Sequence, residues 1–252
     1  MPGARAVSCP HPAARPKVGP GPSTEDKVSS QPGGCRPPYR IRLETPADHD
    51  EVVRLTRQAF WNVHVPGCSE HYLVHRMRRH ADVLPELALV LELDGRLVGS
   101  ILYTRARLVD GQGREKPVLS FGPLSILPEF QRRGLGKALV AESFARAVAL
   151  GHDVVVIFGN PANYVSLGFR SCLRHSIAVA PGVFPAALLV RELVPGALPR
   201  GDWLYRGSPV YEFDAAEADA FDTGFDPMPR LARPSQEEFF ILSRARVTPD
   251  GA

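Results

Sequence analysis

The chain has 252 residues, a formal net charge of +3, 44% hydrophobic residues and 23% charged ones. That composition suits a globular domain with a sizeable core. The small charge and scattered basic residues give no nucleic-acid arm, and no apolar run reaches the roughly 18 residues of a membrane span.

Residues 1–38 hold 9 of the 25 prolines, five glycines and almost no bulky apolar side chains. Such a stretch cannot offset its ordering entropy and is expected to be disordered. It lacks the apolar core of a secretory signal. Cys9, Cys35, Cys68 and Cys172 form no Cys-x-x-Cys pair, so free thiols in a reducing cytoplasm are expected.

From Tyr39 the pattern turns regular. Tyr39 to Leu43 reads as a strand. Thr45-Pro46 opens a helix to about Trp61, with Thr45 as its cap. A second helix is expected from Glu70 to about His80. It carries His71 and His75, but Tyr72 stands where a zinc-protease helix has glutamate, so no metal site is expected. Glu86 to Leu93 places Leu87, Leu89, Leu91 and Leu93 on one face of a strand. Asp94-Gly95 turns it into a long strand from Arg96 to about Val109, and Asp110 to Gly113 turns that into a strand at 117–127. A helix over about 133–150 has Leu135, Ala138, Leu139, Phe144, Val148 and Leu150 as its apolar set. Val154 to Phe158 reads as a buried strand. Ile177-Ala178-Val179, Leu188 to Leu193 and a stretch around Val210 to Phe213 are further strand candidates. Glu237 to Leu242 lies in a tail, 228–252, that ends in a docking helix or runs free.

Two segments carry chemistry. Gln131-Arg132-Arg133-Gly134-Leu135-Gly136-Lys137 joins a strand to a helix. The first turn of a helix has backbone N–H groups without intrahelical acceptors and carries the positive end of the helix dipole. The two glycines let an anion approach that backbone. The same residues also read as a simple turn beside a solvated arginine pair. The spacing is neither a P-loop nor a dinucleotide fingerprint. One strand later, Tyr164 lies four residues before Gly168-Phe169; by itself it reads as a packing tyrosine.

Taken in order, these segments resemble the GNAT superfamily of acyl-CoA-dependent N-acyltransferases, in its YhbS-like branch. The resemblance runs through Leu84 to Val90, Asp94 to Leu102, Gly122 to Leu139 and Gly159 to Phe169, and covers about residues 39–227. It implies an α/β domain with a mixed, mostly antiparallel sheet flanked by helices, and transfer of an acetyl group from acetyl-CoA, without a metal, to a primary amine by direct attack. By the same resemblance, the pantetheine arm pairs with Leu124, Ser125 and Ile126, and a backbone N–H near Leu124 stabilises the oxyanion. The diphosphate sits on the segment Gln131, Arg132, Arg133, Gly134, Leu135, Gly136 and Lys137, and Tyr164 is the proton donor. Two positions depart from the pattern. Asn163 stands where the branch has a second tyrosine, and Ile157 where many members have a CoA-holding asparagine; Asn160 or Asn163 compensates, or the contact is absent. A catalytically weak CoA-binding sensor or partner-binding module on the same fold is one alternative, and a protein that binds a nucleotide or other phosphate ligand through the same loop is another. Glu70, His71, His75 and Glu129 are base candidates by type only. The second helix, its preceding loop and the segment 180–210 are expected to line the acceptor site. A monomer or homodimer is expected, with no nucleic-acid or membrane partner.

Overall fold

Tight turns between apolar strands build the first half of the sheet. In the computed structural model, which describes residues 39–249, β1 (Tyr39–Leu43) is followed by helices α1 (His49–Phe60) and α2 (Glu70–Met77), then by β2 (Leu89–Leu93), β3 (Arg96–Asp110) and β4 (Glu115–Ile126). The four strands pair in the order β1-β2-β3-β4, all antiparallel. The expectation for residues 1–38 lies outside the described residues. Asp94 and Gly95 have φ of 51° and 80°, the backbone of a type I′ hairpin turn. The first helix opens as a 3-10 turn at Pro46–Asp48, where Asp48 accepts from the N–H and hydroxyl of Thr45 and from Arg42.

The second half continues with α3 (Leu135–Ala149), β5 (Val154–Phe158), α4 (Pro161–Tyr164), β6 (Arg170–Ser171), β7 (Ile177–Ala178), β8 (Leu188–Glu192), β9 (Trp203–Arg206), α5 (Ala215–Asp222) and α6 (Pro234–Arg244). The main path of the sheet is β1-β2-β3-β4-β5-β8-β6, with β9 on the far half of β3 and β7 on β9. The pairs β4–β5 and β7–β9 are parallel and the rest antiparallel, so the sheet is mixed and mostly antiparallel.

Helices cover both faces. Thr56 of α1 meets Ser125 of β4 at 3.0 Å between hydroxyl oxygens. Tyr103 of β3 meets Ser143 of α3 at 2.7 Å on the opposite face. With β9 and β7 attached, the far half of the sheet buries a second cluster, which includes Leu108, Val118, Val154, Val156, Leu188, Val190, Trp203 and Tyr205. These residues alternate along their strands with the set facing α3, as a period of two requires.

Several elements differ from the sequence reading. Leu87 belongs to a 3-10 turn and β2 begins at Leu89. Val90 is fully buried with its neighbours, because α1 and α3 cover the sheet on both sides. In α3, Val148 and Leu150 are exposed, and Val140 and Ala147 are buried instead. The stretch at Val210 is a 3-10 turn, Pro209–Tyr211; Pro209 removes a ladder donor there. The strand β9 and the helix α5 have no counterpart in the sequence reading.

Candidate active site

A wedge opens where β4 and β5 part. The two parallel strands share one registered pair, Leu119 with Val155. Beyond it β4 keeps β3 on one edge and, among the described residues, has no strand on the other. The parting coincides with a β-bulge, in which Gly122 and Pro123 together oppose Leu102. A bulge bends its strand and increases the local twist. Leu127 N–H donates to Val98 O at 2.9 Å. Backbone polar groups alternate between edges along a strand, so Ser125 turns toward β3, while Leu124 and Ile126 turn their N–H and C=O to the open edge. The Ser125 side chain is fully buried against Thr56. Gln131 Nε2 donates to the Ile126 carbonyl at 2.9 Å, which folds the loop back onto the strand end.

That loop leads directly into α3. Gly134 caps the helix at φ 82°, and Arg132 has φ 61°; the positive φ at 134 is a conformation that glycine adopts without penalty. Ala138 N–H donates to Gly134 O. The N–H groups of Leu135, Gly136 and Lys137 before it have no acceptor within the helix. No acid lies in that turn, and Arg132, Arg133 and Lys137 are exposed. The Arg133 guanidinium stacks on Phe130, 5.4 Å from its centroid. Among the described residues, a Cβ built at Gly134 would meet nothing within 4 Å, and one at Gly136 only Ile126 Cγ1 at 3.7 Å. The space over the helix start is open, positively charged and lined by backbone donors, so an anion fits there.

Tyr164 closes the other side of the wedge. Asn160 caps α4 by accepting from Ala162 N–H at 3.0 Å, Pro161 begins the turn and Gly168 ends the following one at φ 86°. The Tyr164 ring packs edge-on to Phe169 at 5.6 Å and tilted to Phe121 at 5.8 Å. Burial alone pushes its phenol up to about 12; no described side chain shares its hydroxyl. Ile157 is buried in the core beneath it.

The α1 side of the wedge is aromatic. Phe158 is 57% exposed at the end of β5, with Tyr205 at 6.1 Å. The Tyr211 hydroxyl reaches the Gly122 carbonyl at 3.4 Å and Thr104 Oγ1 at 3.3 Å. Burial, against the lowering effect of that threonine bond, pushes Tyr211 up to about 12. Tyr205 lies within the segment expected to line an acceptor site, but the sequence reading singles out neither tyrosine. Trp203 and Tyr205, two apart, are the available signal.

The base candidates are engaged elsewhere. Glu70 Oε1 meets His64 Nδ1 at 2.8 Å and its other oxygen accepts from Ser69 N–H. His71 is fully buried, with Nδ1 3.3 Å from Cys68 Sγ and Nε2 3.2 Å from Asp222 Oδ1 but off the hydrogen-bonding direction. Burial lowers its pKa, so it is neutral near pH 7. His75 rests on Phe221. Glu129 pairs with Arg96 at 2.8 Å. Among the described residues no group of His, Cys, Asp and Glu is arranged to hold a metal, and no helix is long and apolar enough to cross a membrane.

Comparison with known proteins agrees with this fold. Residues 56–170 match the model of the Acetyltransferase (GNAT) family. The uncharacterized N-acetyltransferase YjhQ of Escherichia coli K12 is 28% identical over 148 residues, 58% of this chain and 78% of that protein. The crystal structure of the GNAT family N-acetyltransferase YhbS of Escherichia coli in complex with CoA superposes with a TM-score of 0.61 at 25% identity, covering 73% of this chain and 98% of that one. A GNAT family acetyltransferase of Brucella melitensis in complex with acetyl-CoA gives a TM-score of 0.53 at 26% identity, over 69% and 98% of the two chains.

Proposed function

Since residues 56–170 match the model of the Acetyltransferase (GNAT) family, we propose that the chain transfers the acetyl group of acetyl-CoA to a primary amine by direct attack, with the wedge between β4 and β5 as the site of reaction. The observation that carries the reading is the free edge of β4, running from the bulge at Gly122 to the open start of α3. It has the length and polarity for an extended chain ending in a diphosphate.

The steps follow from the residues. The diphosphate lies on the N–H groups of Arg133 to Lys137, with Arg132, Arg133 and Lys137 adding charge. Gln131 and Asn160 act by shaping the backbone on either side, through the Ile126 carbonyl and the Ala162 N–H. The pantetheine arm adds a strand to the open edge through Leu124 and Ile126, with Ser125 as the spacer between them. The N–H of Leu124 then faces the thioester carbonyl and stabilises the oxyanion as the amine attacks. The amine enters from the aromatic side, past Phe158 and Tyr211, and loses its proton to solvent in the cleft.

Tyr164 meets the departing sulfur. A phenol near 10 and a thiol near 8.5 make outright proton transfer to the thiolate uphill by roughly 2 kcal/mol at their reference values, and burial pushes the Tyr164 phenol higher still. A hydrogen bond from the hydroxyl to the developing thiolate avoids that cost, and solvent in the cleft, which took the amine's proton, returns one to the thiolate as CoA leaves.

The test is thiol release from acetyl-CoA across polyamines, amino acids, aminoglycosides and peptide N-termini. Release that depends on one amine class establishes the activity. CoA binding without release on any amine leaves a sensor on the same fold.

A further inference from the structure

The bulge that opens the wedge is held by a side chain from far along the chain. In β4 the register passes from Phe121 opposite Tyr103 to Leu124 opposite Ile101, so Gly122 and Pro123 both stand against Leu102. A bulge takes its extra residue out of the ladder and re-aims the strand beyond it. The Tyr211 hydroxyl donates to the Gly122 carbonyl at 3.4 Å, and Thr104 Oγ1 lies 3.3 Å from the same hydroxyl. A hydroxyl has one proton to give and lone pairs to receive, so Thr104 donating to Tyr211 and Tyr211 to Gly122 satisfies all three groups. Burial pushes the Tyr211 phenol up to about 12, so it keeps its proton near neutral pH and remains a donor. Both contacts are long for bonds between oxygens; bonds at reacting centres often tighten only once substrate is bound.

The turn that carries Tyr211 is fixed to β3, not to the wedge. Ser208 Oγ donates to Asp82 Oδ2 at 2.7 Å and accepts from Val210 N–H at 3.3 Å. The Asp82 carbonyl accepts from Arg105 N–H of β3 at 2.8 Å, and Val210 is buried in the core. Tyr211 therefore spans from a fixed seat to the bulge. The peptide group whose carbonyl it holds, Gly122–Pro123, is the one just before the peptide that carries the Leu124 N–H. Only the Pro123 Cα stands between the two, and the proline ring locks one of its two torsions. A donor to a developing oxyanion is worth most when it is already aimed. We infer that Tyr211 is a positioning residue: its hydroxyl fixes the Gly122 carbonyl and, through Pro123, sets the direction in which the Leu124 N–H meets the thioester carbonyl. This inference rests on the acetyltransferase reading and adds to it a residue that acts through the strand.

The thioester carbonyl reports the aim of that donor whatever the natural acceptor is, because a hydrogen bond to a carbonyl lowers its stretching frequency. Isotope-edited infrared difference spectra, with the label on the thioester carbonyl of acetyl-CoA, compare the full native chain with its Tyr211→Phe and Tyr103→Phe variants. Tyr211→Phe keeps the ring and its packing and removes only the hydroxyl. Tyr103→Phe removes the hydroxyl of a fully buried tyrosine that pairs with Phe121 beside the bulge but bonds to Ser143 at 2.7 Å on the other face. The native band is expected below that of free acetyl-CoA. In Tyr211→Phe it should return most of the way to the free position, with CoA affinity by calorimetry within about twofold of native. Tyr103→Phe should keep the native shift even where it melts lower. A native shift that survives in Tyr211→Phe, or a loss as large in Tyr103→Phe, overturns the inference and leaves the acetyltransferase reading in place. A native band that does not move on binding removes the oxyanion step at Leu124 and the inference with it. Failure of the native chain to bind acetyl-CoA overturns the acetyltransferase reading first.

Discussion

A Cβ atom at Gly159 would stand 2.5 Å from Cε2 of Tyr164 and 2.8 Å from Cδ2. The glycine is therefore the seat of the tyrosine ring, and the two residues are coupled although neither bonds to the other. Gly159→Ala forces the ring aside. We expect a loss of turnover on the order of 10²-fold, the cost of about 1 Å of misplacement at a reacting centre, with CoA affinity by calorimetry little changed. Turnover equal to the native protein's would mean that the ring position does not matter to the chemical step.

Tyr164→Phe separates packing from chemistry. The substitution keeps the contacts with Phe121 and Phe169 and removes only the hydroxyl. If that hydroxyl supports the departing thiolate, its loss costs about 1.5–3 kcal/mol, roughly 10- to 150-fold in the single-turnover rate with saturating acetyl-CoA. A rate within about twofold of native would identify the residue as packing only.

Gly136→Asp should abolish CoA binding and leave the fold intact. Its Cβ meets only Ile126 Cγ1 at an ordinary 3.7 Å, so the protein itself has room for the side chain, while the carboxylate would occupy the place of a phosphate. Gly134→Asp should behave alike but melt lower by about 1 kcal/mol of stability, because its φ of 82° is a left-handed conformation. Unaltered affinity in both variants would remove the start of α3 from the site.

Asp48 supplies a pH-dependent part of the stability. The Arg42 guanidinium above all, and then the Thr45 hydroxyl and N–H, hold its carboxyl well below the usual range against the opposing effect of burial. A carboxyl whose folded pKa is lowered stabilises fully above its unfolded value and loses that contribution as the pH falls toward the folded one. Asp48→Asn should therefore cost about 1.5–3 kcal/mol at pH 7, with the gap closing as the pH drops below about 4. Urea melts of both proteins at pH 7 and pH 3 measure it; a gap of equal size at both would refute the electrostatic account.

The sequence made legible those parts whose chemistry is local. The hairpin at Asp94-Gly95, the helix start at Gly134 and the Tyr164 segment each follow from residues a few positions apart, and the structure has the same turns there. What could not be read depends on distant chain. The aromatic side of the wedge combines Phe158 with Tyr205 and Tyr211, some fifty residues on. The loop after α1 gains its shape from Asn62, whose φ of 60° is held by bonds to Gly67, Pro229 and Leu231. Periodicity also misassigned α3, because its end runs past the sheet and leaves Val148 and Leu150 without a partner surface.

The lone register of Leu119 with Val155 bears on the order in which the chain assembles. β2, β3 and β4 close through short hairpins, whereas β4 and β5 are joined in parallel across the whole of α3, and β1 reaches β2 across α1 and α2. Contacts between near neighbours form early, and those that enclose long loops come late. The junction that opens the wedge is thus expected to close after the β2-β3-β4 hairpins and, having one registered pair to hold it, to part before them.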